Sequence, residues 1–160
     1  PNFNTISTFA RPLLLRLAGA RVAFPVRIHR PIYIYQAAGL VIGRYAFINQ
    51  GVRMEGRQTI NIGEGALIGP FCCLENVNHR PEGSQELPVT VGKGAWLGSG
   101  AILLPGANVG EGAMVAAGSV VHGRVAPHQL WGGVPARFLL QLNHNSPSAA
   151  ARASEPVDQR

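Results

Sequence analysis

From Val91 onward an aliphatic residue returns at every sixth position: Leu97, Leu103, Val109, Val115 and Val121. Two places before these stand Val89, Ala95, Ala101, Ala107, Ala113 and Ser119, all small or β-branched, and glycine follows the aliphatic at Gly92, Gly98 and Gly110. A period of six fits neither the 3.6 of a helix nor the 2 of an ordinary strand. It is the period of parallel β-helices, whose short strands stack as rungs that bury little alone.

The register extends backward across two insertions. The inward positions are Val22, Ile28 and Ile34, then Ile42, Ile48 and Met54, then Ile62, Ile68 and Leu74. Steps of eight, from Ile34 to Ile42 and from Met54 to Ile62, place a two-residue bulge at one corner of two coils. All fifteen inward residues are aliphatic or Met, which predicts an all-β fold of about five coils between Val22 and Val121, with rungs about 4.8 Å apart. Leu74 and Val91 are 17 positions apart where six would continue the register. The excess must leave the scaffold as a loop over 75–89, and long excursions from a regular scaffold are commonly functional. This loop is the most polar part of the repeat region and carries His79.

Four segments follow. Residues 1–20 form an N-terminal helix or arm, with Pro12 starting or kinking a helix that packs on the end of the repeats. Its two arginines allow at most a peripheral membrane contact. The β-helix spans 21–126, with the repeat stopping after Val121, and 127–144 is a C-terminal cap with a short helix from about Ala136. Such a cap is needed because an open last rung would pair with anything. Residues 145–160, rich in Ser, Ala and Pro, read as a tail without a core.

Composition bounds the function. A chain of 160 residues is one domain by length, and 46% apolar with 14% charged residues suits a packed core. The net charge of +6 rests on thirteen arginines and one lysine, Lys93. That balance suits a phosphate-bearing ligand as well as it suits plain residue usage. No run of basic residues appears, so no nucleic-acid partner is expected. Cys72 and Cys73 are adjacent, a poor geometry for a mutual disulfide. No 18-residue apolar run or signal peptide is visible, which makes the cytoplasm the default, and Pro1 suggests that residues precede it.

Three stretches carry a family resemblance: Val91-Gly-Lys-Gly-Ala-Trp-Leu-Gly-Ser99, Ala117-Gly-Ser-Val-Val121 and Gly133-Val-Pro-Ala-Arg137. They resemble the hexapeptide-repeat acyltransferases, and within them the sugar O-acetyltransferase branch of maltose, galactoside and exopolysaccharide enzymes. The likeness covers roughly residues 20–142. It implies a left-handed parallel β-helix, against the usual right-handed crossover. It also implies a homotrimer, acetyl-CoA in grooves between subunits, no metal, and a hydroxyl of a sugar or glycan precursor as acceptor. His79 matches the family's general base. A sugar hydroxyl is a poor nucleophile at neutral pH, and an imidazole that titrates near about 6.5 can take its proton. Asn49 matches an asparagine beside the acceptor, where an amide could hold the hydroxyl or the oxyanion. Ser99, Ala117 and Arg137 match coenzyme A contacts, with the Arg137 guanidinium suited to phosphate. Trp96 would stack on adenine or sugar.

Register supports that grouping. Asn49 follows Ile48, Trp96 precedes Leu97, Ser99 lies two after Leu97 and Ala117 two after Val115, all in the middle hexad of their coils, so one face carries them. The family often has Thr-Lys after the Val-Val pair, where this chain has His122-Gly123 and then Arg124, so phosphate binding passes to Arg124 or is weaker, with His122 a further cofactor-binding candidate. Galactoside-type members have an acidic residue where Gly56-Arg57 stands, which leaves the acceptor's identity open. Glu55 and Glu75 are candidates to orient His79, beside the plainer reading of solvated charges. A metal enzyme on the same scaffold needs three histidines around one zinc ion. The histidines here, His29, His79, His122, His128 and His144, are scattered. Transfer to an amine and a non-catalytic scaffold are the alternatives.

Overall fold

The computed structural model describes residues 3–81 and 83–143. The chain winds as a parallel β-helix of triangular section, each coil giving one short strand to each of three faces. On the first face Val22, Ile42, Ile62, Val91, Val109 and Val125 stack in register. On the second, Ile28, Ile48, Ile68, Leu97 and Val115 do so. Ile34, Met54, Leu74, Leu103 and Val121 make the third. Fourteen of the fifteen inward positions read from the sequence are buried, and Ile34 packs against the core from its edge.

The sixfold repeat follows from the section of the prism. The inward aliphatic fills the interior, and the small residue two places earlier sits at a corner with no room for more: Ala46, Ala66, Ala95, Ala101 and Ala113 are fully buried. The residue after the aliphatic runs against the next rung. A Cβ on Gly98 would stand 2.5 Å from the Ala117 nitrogen, closer than any side chain tolerates. Backbone bonds tie the rungs together, Trp96 N donating to Ala113 O at 2.9 Å and Gly98 N to Val115 O at 2.8 Å. Such bonds pair the backbone of each interior rung with the rungs on either side.

The two eight-residue steps form bulged corners that interlock. A Cβ on Gly39 would lie 2.2 Å from Gly56 O, and one on Gly56 would lie 2.0 Å from Gln36 O. The N-terminal helix, Phe3–Leu17, lies across the open first coil with Pro12 inside it and buried. No helix of the described residues is long and apolar enough to cross a membrane.

Two expectations are corrected at the C-terminus. The repeat does not stop at Val121: Arg124–Val125 continues the first face on Asn108–Val109, and Gln129–Gly133 continues the second. Val125 comes only four residues after Val121, so counting in sixes hides this rung. The segment from Ala136 is not a helix. Ala136–Gln141 is a strand antiparallel to Gln129–Gly133. The reason is the open backbone of the last rung, whose donors and acceptors need partners more than a short apolar segment needs its own helix. His144 and the tail 145–160 lie outside the described residues.

Candidate active site

The second face and the corner after it gather most of the residues singled out by register. After Arg27 on the first rung, the outward places of the second face hold Phe47, Leu67, Trp96, Met114 and Leu130, an apolar column. The first face has a mostly polar outward column instead, with Arg21, Asn61, Thr90, Asn108 and Arg124. Just past the face, Ser99 and Ala117 sit one rung apart at the corner, both exposed, with Gly118 N donating to Ser99 O at 2.8 Å. Gly100 and Gly118, the residues that follow them, have nothing within 4 Å of where a Cβ would stand. Arg137 is exposed opposite Gly132 at the far end of the same face. Trp96 on the second face, Ser99 and Ala117 at the corner after it, and Arg137 at its far end therefore lie along one side of the prism.

Asn49 belongs to the same corner, two rungs nearer the N-terminus. Its N–H donates to Ile68 O at 3.0 Å, and its Oδ1 accepts the Gln50 N–H at 2.8 Å. With Oδ1 so engaged, the amide nitrogen is the group it can offer as a donor. Next to it stands a residue that the hexad pattern does not show. Phe71 has a left-handed backbone, φ 60°, at a corner position that is glycine in the rungs on either side, Gly51 and Gly100. Its N–H donates to Gln50 O at 3.0 Å, and its ring lies over Gly51, where a Cβ would meet the ring at 2.3 Å. The ring remains exposed, and a bulky residue in this conformation is a strain of about 1–3 kcal/mol that tends to mark functional sites.

The 75–89 excursion is not a plain loop. Val77–Arg80 and Gly83–Glu86 pair as an antiparallel hairpin that leaves the corner after the third face. His79 stands directly across from Ser84, Nδ1 3.1 Å from Oγ. The base of the hairpin is pinned by buried Asn76, whose Nδ2 donates to Gln58 O at 2.6 Å and whose carbonyl accepts from Leu87 N at 3.0 Å. Between hairpin and bulged corners lies an open cleft of about 570 Å³ lined by Tyr35, Gln36, Arg57 and Glu86. Arg57 sits over the Tyr35 ring at 5.3 Å and 3.9 Å from Glu86.

One candidate role read from the sequence falls to another residue. Neither Glu55 nor Glu75 orients His79. Glu55 pairs with Arg53 and Arg57 at 3.9 and 3.6 Å, and Glu75 pairs with Arg53 at 3.6 Å and accepts from Cys73 Sγ at 2.8 Å. Ser84 occupies the His79 ring nitrogen instead. Its signal was the turn, since His79 and Ser84 are equally spaced about Pro81-Glu82. His122 and Arg124 do not share the Ala117 edge within one chain: His122 follows the third face, and the hidden sixth rung carries Arg124 onto the first. The thiols are poor nucleophiles. Burial pushes Cys72 up to about 11, and burial with the Glu75 carboxylate pushes Cys73 up to about 12.

Comparison with known proteins identifies the family. A family model described as bacterial transferase hexapeptide (six repeats) matches residues 88–123. Nodulation protein L of Rhizobium meliloti is 36% identical over 132 residues, spanning 78% of this chain and 72% of that protein. The chain belongs to the hexapeptide-repeat acyltransferases. Galactoside O-acetyltransferase of Escherichia coli K12 is another relative, 28% identical over 140 residues, 83% of this chain and 69% of that one. Among solved structures, a hexapeptide-repeat acetyltransferase of Vibrio cholerae complexed with acetyl-CoA superposes with a TM-score of 0.79 at 29% identity, covering 84% of this chain and 78% of that chain. The matched residues 88–123 hold Trp96, Ser99 and Ala117.

Proposed function

We propose that this acyltransferase moves an acetyl group from acetyl-CoA to a hydroxyl of a sugar or glycan precursor, with His79 as general base. The observation that carries the reading is the pairing of a bare-backbone edge with a histidine held on a hairpin that leaves the scaffold. The edge at Ser99 and Ala117 has room where side chains would otherwise stand, which suits the amide-bearing pantetheine arm of acetyl-CoA. Arg137, at the end of that edge, supplies a guanidinium for its phosphates. Trp96 offers a partly exposed indole in the adjoining column.

In the transfer, His79 takes the proton of the acceptor hydroxyl on Nε2 while Nδ1 faces Ser84. The hydroxyl oxygen then bonds to the thioester carbonyl carbon. The negative charge that develops on the carbonyl oxygen needs a donor, and the Asn49 amide can provide one. Collapse breaks the carbon–sulfur bond, and His79 returns the proton to the departing thiolate, leaving an acetyl ester and coenzyme A. Because both cysteines are held as thiols, direct transfer is favoured over an acyl-cysteine route. The cleft beside the hairpin suits a polyhydroxylated acceptor, with Arg57 and Gln36 as donors, Glu86 as acceptor and an aromatic ring at Tyr35; Phe71 offers a second ring beside Asn49.

A homotrimer completes this site. His79 leaves one corner of the prism and Asn49 sits at another, so the two meet most simply across neighbouring chains. The apolar second-face column gives such neighbours a surface to bury, and His122 and Arg124 then reach a bound cofactor from the adjacent chain. The test is an acceptor screen with acetyl-CoA, following coenzyme A release and product mass. Ester formation on a sugar is the expected result. Release with amines alone would replace this reading with N-acylation, and no release with any acceptor would favour a scaffold.

A further inference from the structure

Charge is distributed unevenly along this chain. All seven basic residues before residue 55 are arginines, and no Asp or Glu precedes Glu55. The winding turns that imbalance into a surface, because the first coils make one end of the prism. Arg21 and Arg27 are exposed on the first rung of the first and second faces, and Arg30 is exposed at the corner after them. Among the described residues the ion pairs all involve Arg53 or Arg57, so the arginines of this end lack carboxylate partners. Arg11 donates to Ile28 O and feels Arg30 closely enough for burial and that like charge to hold its own pKa down.

The helix on the same end adds a second, independent feature. Pro12 and Leu15 pack toward the solenoid. The opposite side of the helix shows Leu13, Leu14 and Leu17, which are 53%, 61% and 78% exposed. Arg16 flanks this stripe over the Phe24 ring at 5.4 Å. Three exposed leucines framed by arginines, in a stretch with no acid before Glu55, match the surface that lies in the headgroup region of an acidic bilayer. A polynucleotide would use the arginines but leave the leucines in water.

We infer that the N-terminal end of the solenoid, Leu13, Leu14 and Leu17 with Arg16, Arg21 and Arg30, docks on an anionic lipid bilayer. The leucines enter the acyl boundary and the arginines meet the lipid phosphates. Docking needs only the single chain. In the proposed trimer, a threefold axis along the prism would turn all three ends to the same side and multiply the attachment. Docking would also bring a hydroxyl acceptor carried on a membrane lipid to the site, and that consequence alone rests on the activity proposed above.

The experiment is sedimentation of the full chain with phosphatidylcholine vesicles, with and without phosphatidylglycerol. Binding is expected to be about tenfold or more stronger with the anionic lipid and to fall as salt rises. Leu14→Asp with Leu17→Asp should abolish it, and Arg21→Glu with Arg30→Glu should weaken it about tenfold. Both variants should keep the melting transition and coenzyme A release with a soluble acceptor. Equal binding to the two vesicle types, or none, overturns the inference. Unchanged binding by the leucine variant, with displacement by a polynucleotide, would reassign the surface to nucleic acid. A drop in oligomeric state for that variant would show that the leucines are covered by another copy instead. Because the readout is lipid binding, failure here leaves the acetyltransferase reading untouched, and an inactive enzyme leaves this inference untouched.

Discussion

His79 and Ser84 face each other across the hairpin, Nδ1 to Oγ at 3.1 Å. The contact fixes which ring nitrogen is turned toward the strand partner and which is left for a substrate proton. His79→Ala should lower kcat by about 10² to 10⁴-fold with the fold intact. Ser84 acts through His79 as a positioning residue. Ser84→Ala should lower kcat about tenfold with little change in KM, and Ser84→Thr, which keeps the hydroxyl, should restore most of it. Steady-state kinetics on the three variants checks this, and wild-type turnover in His79→Ala would remove the histidine from the mechanism.

Ala117 is exposed at its corner and is followed by Gly118, which has nothing within 4 Å of where a Cβ would stand. Ala117→Leu or Ala117→Trp should weaken acetyl-CoA binding while leaving acceptor binding nearly unchanged, since the bulk falls into the edge proposed for the pantetheine arm. Calorimetry measures both affinities, and unchanged cofactor affinity would move the groove elsewhere.

His79 and Asn49 come from different corners of one prism. Chains carrying His79→Ala and Asn49→Ala, each inactive alone, should regain activity when unfolded and refolded together. A good hairpin on one chain then meets a good corner on its neighbour. Mixed oligomers as inactive as either parent, or an active monomer by light scattering, would argue for a site within one chain.

Gly56 has φ 76°, and a Cβ there would lie 2.0 Å from Gln36 O. Gly56→Ala should cost about 1–3 kcal/mol from backbone strain alone, with more from the clash, because a backbone atom is the obstacle. Denaturant unfolding measures it. A stability equal to the parent would show that the bulged corners move apart freely.

The thiols of Cys72 and Cys73 are raised to about 11 and about 12 by burial, with Glu75 adding to the second. In the unfolded chain both ionise at lower pH than in the folded one. Folded stability from these groups is therefore intact at neutral pH and is lost as pH rises from about 9 toward about 12. Iodoacetamide should label native protein slowly at neutral pH and rapidly after denaturation, as read by mass spectrometry. Fast native labelling would contradict the burial.

The sequence by itself determined the scaffold. A side chain in a parallel β-helix has the same environment one coil later, so the interior writes its period directly into the chain, and inward positions from Val22 to Val121 could be read in order. The same arithmetic assigned Trp96, Ser99, Ala117 and Asn49 to one face, because a face is a residue class. What only the tertiary structure decided lies where the period breaks. The rung at Val125 is out of phase with six, and the strand from Ala136 forms because the last rung leaves backbone groups unpaired, a demand set by neighbours in space. The partner of His79 was likewise hidden: hairpin register is set by the turn, so Ser84 rather than Glu55 or Glu75 reaches the ring. Phe71 is the sharpest case. Its left-handed backbone stands where glycine would serve, and only the ring's seat over Gly51 shows it.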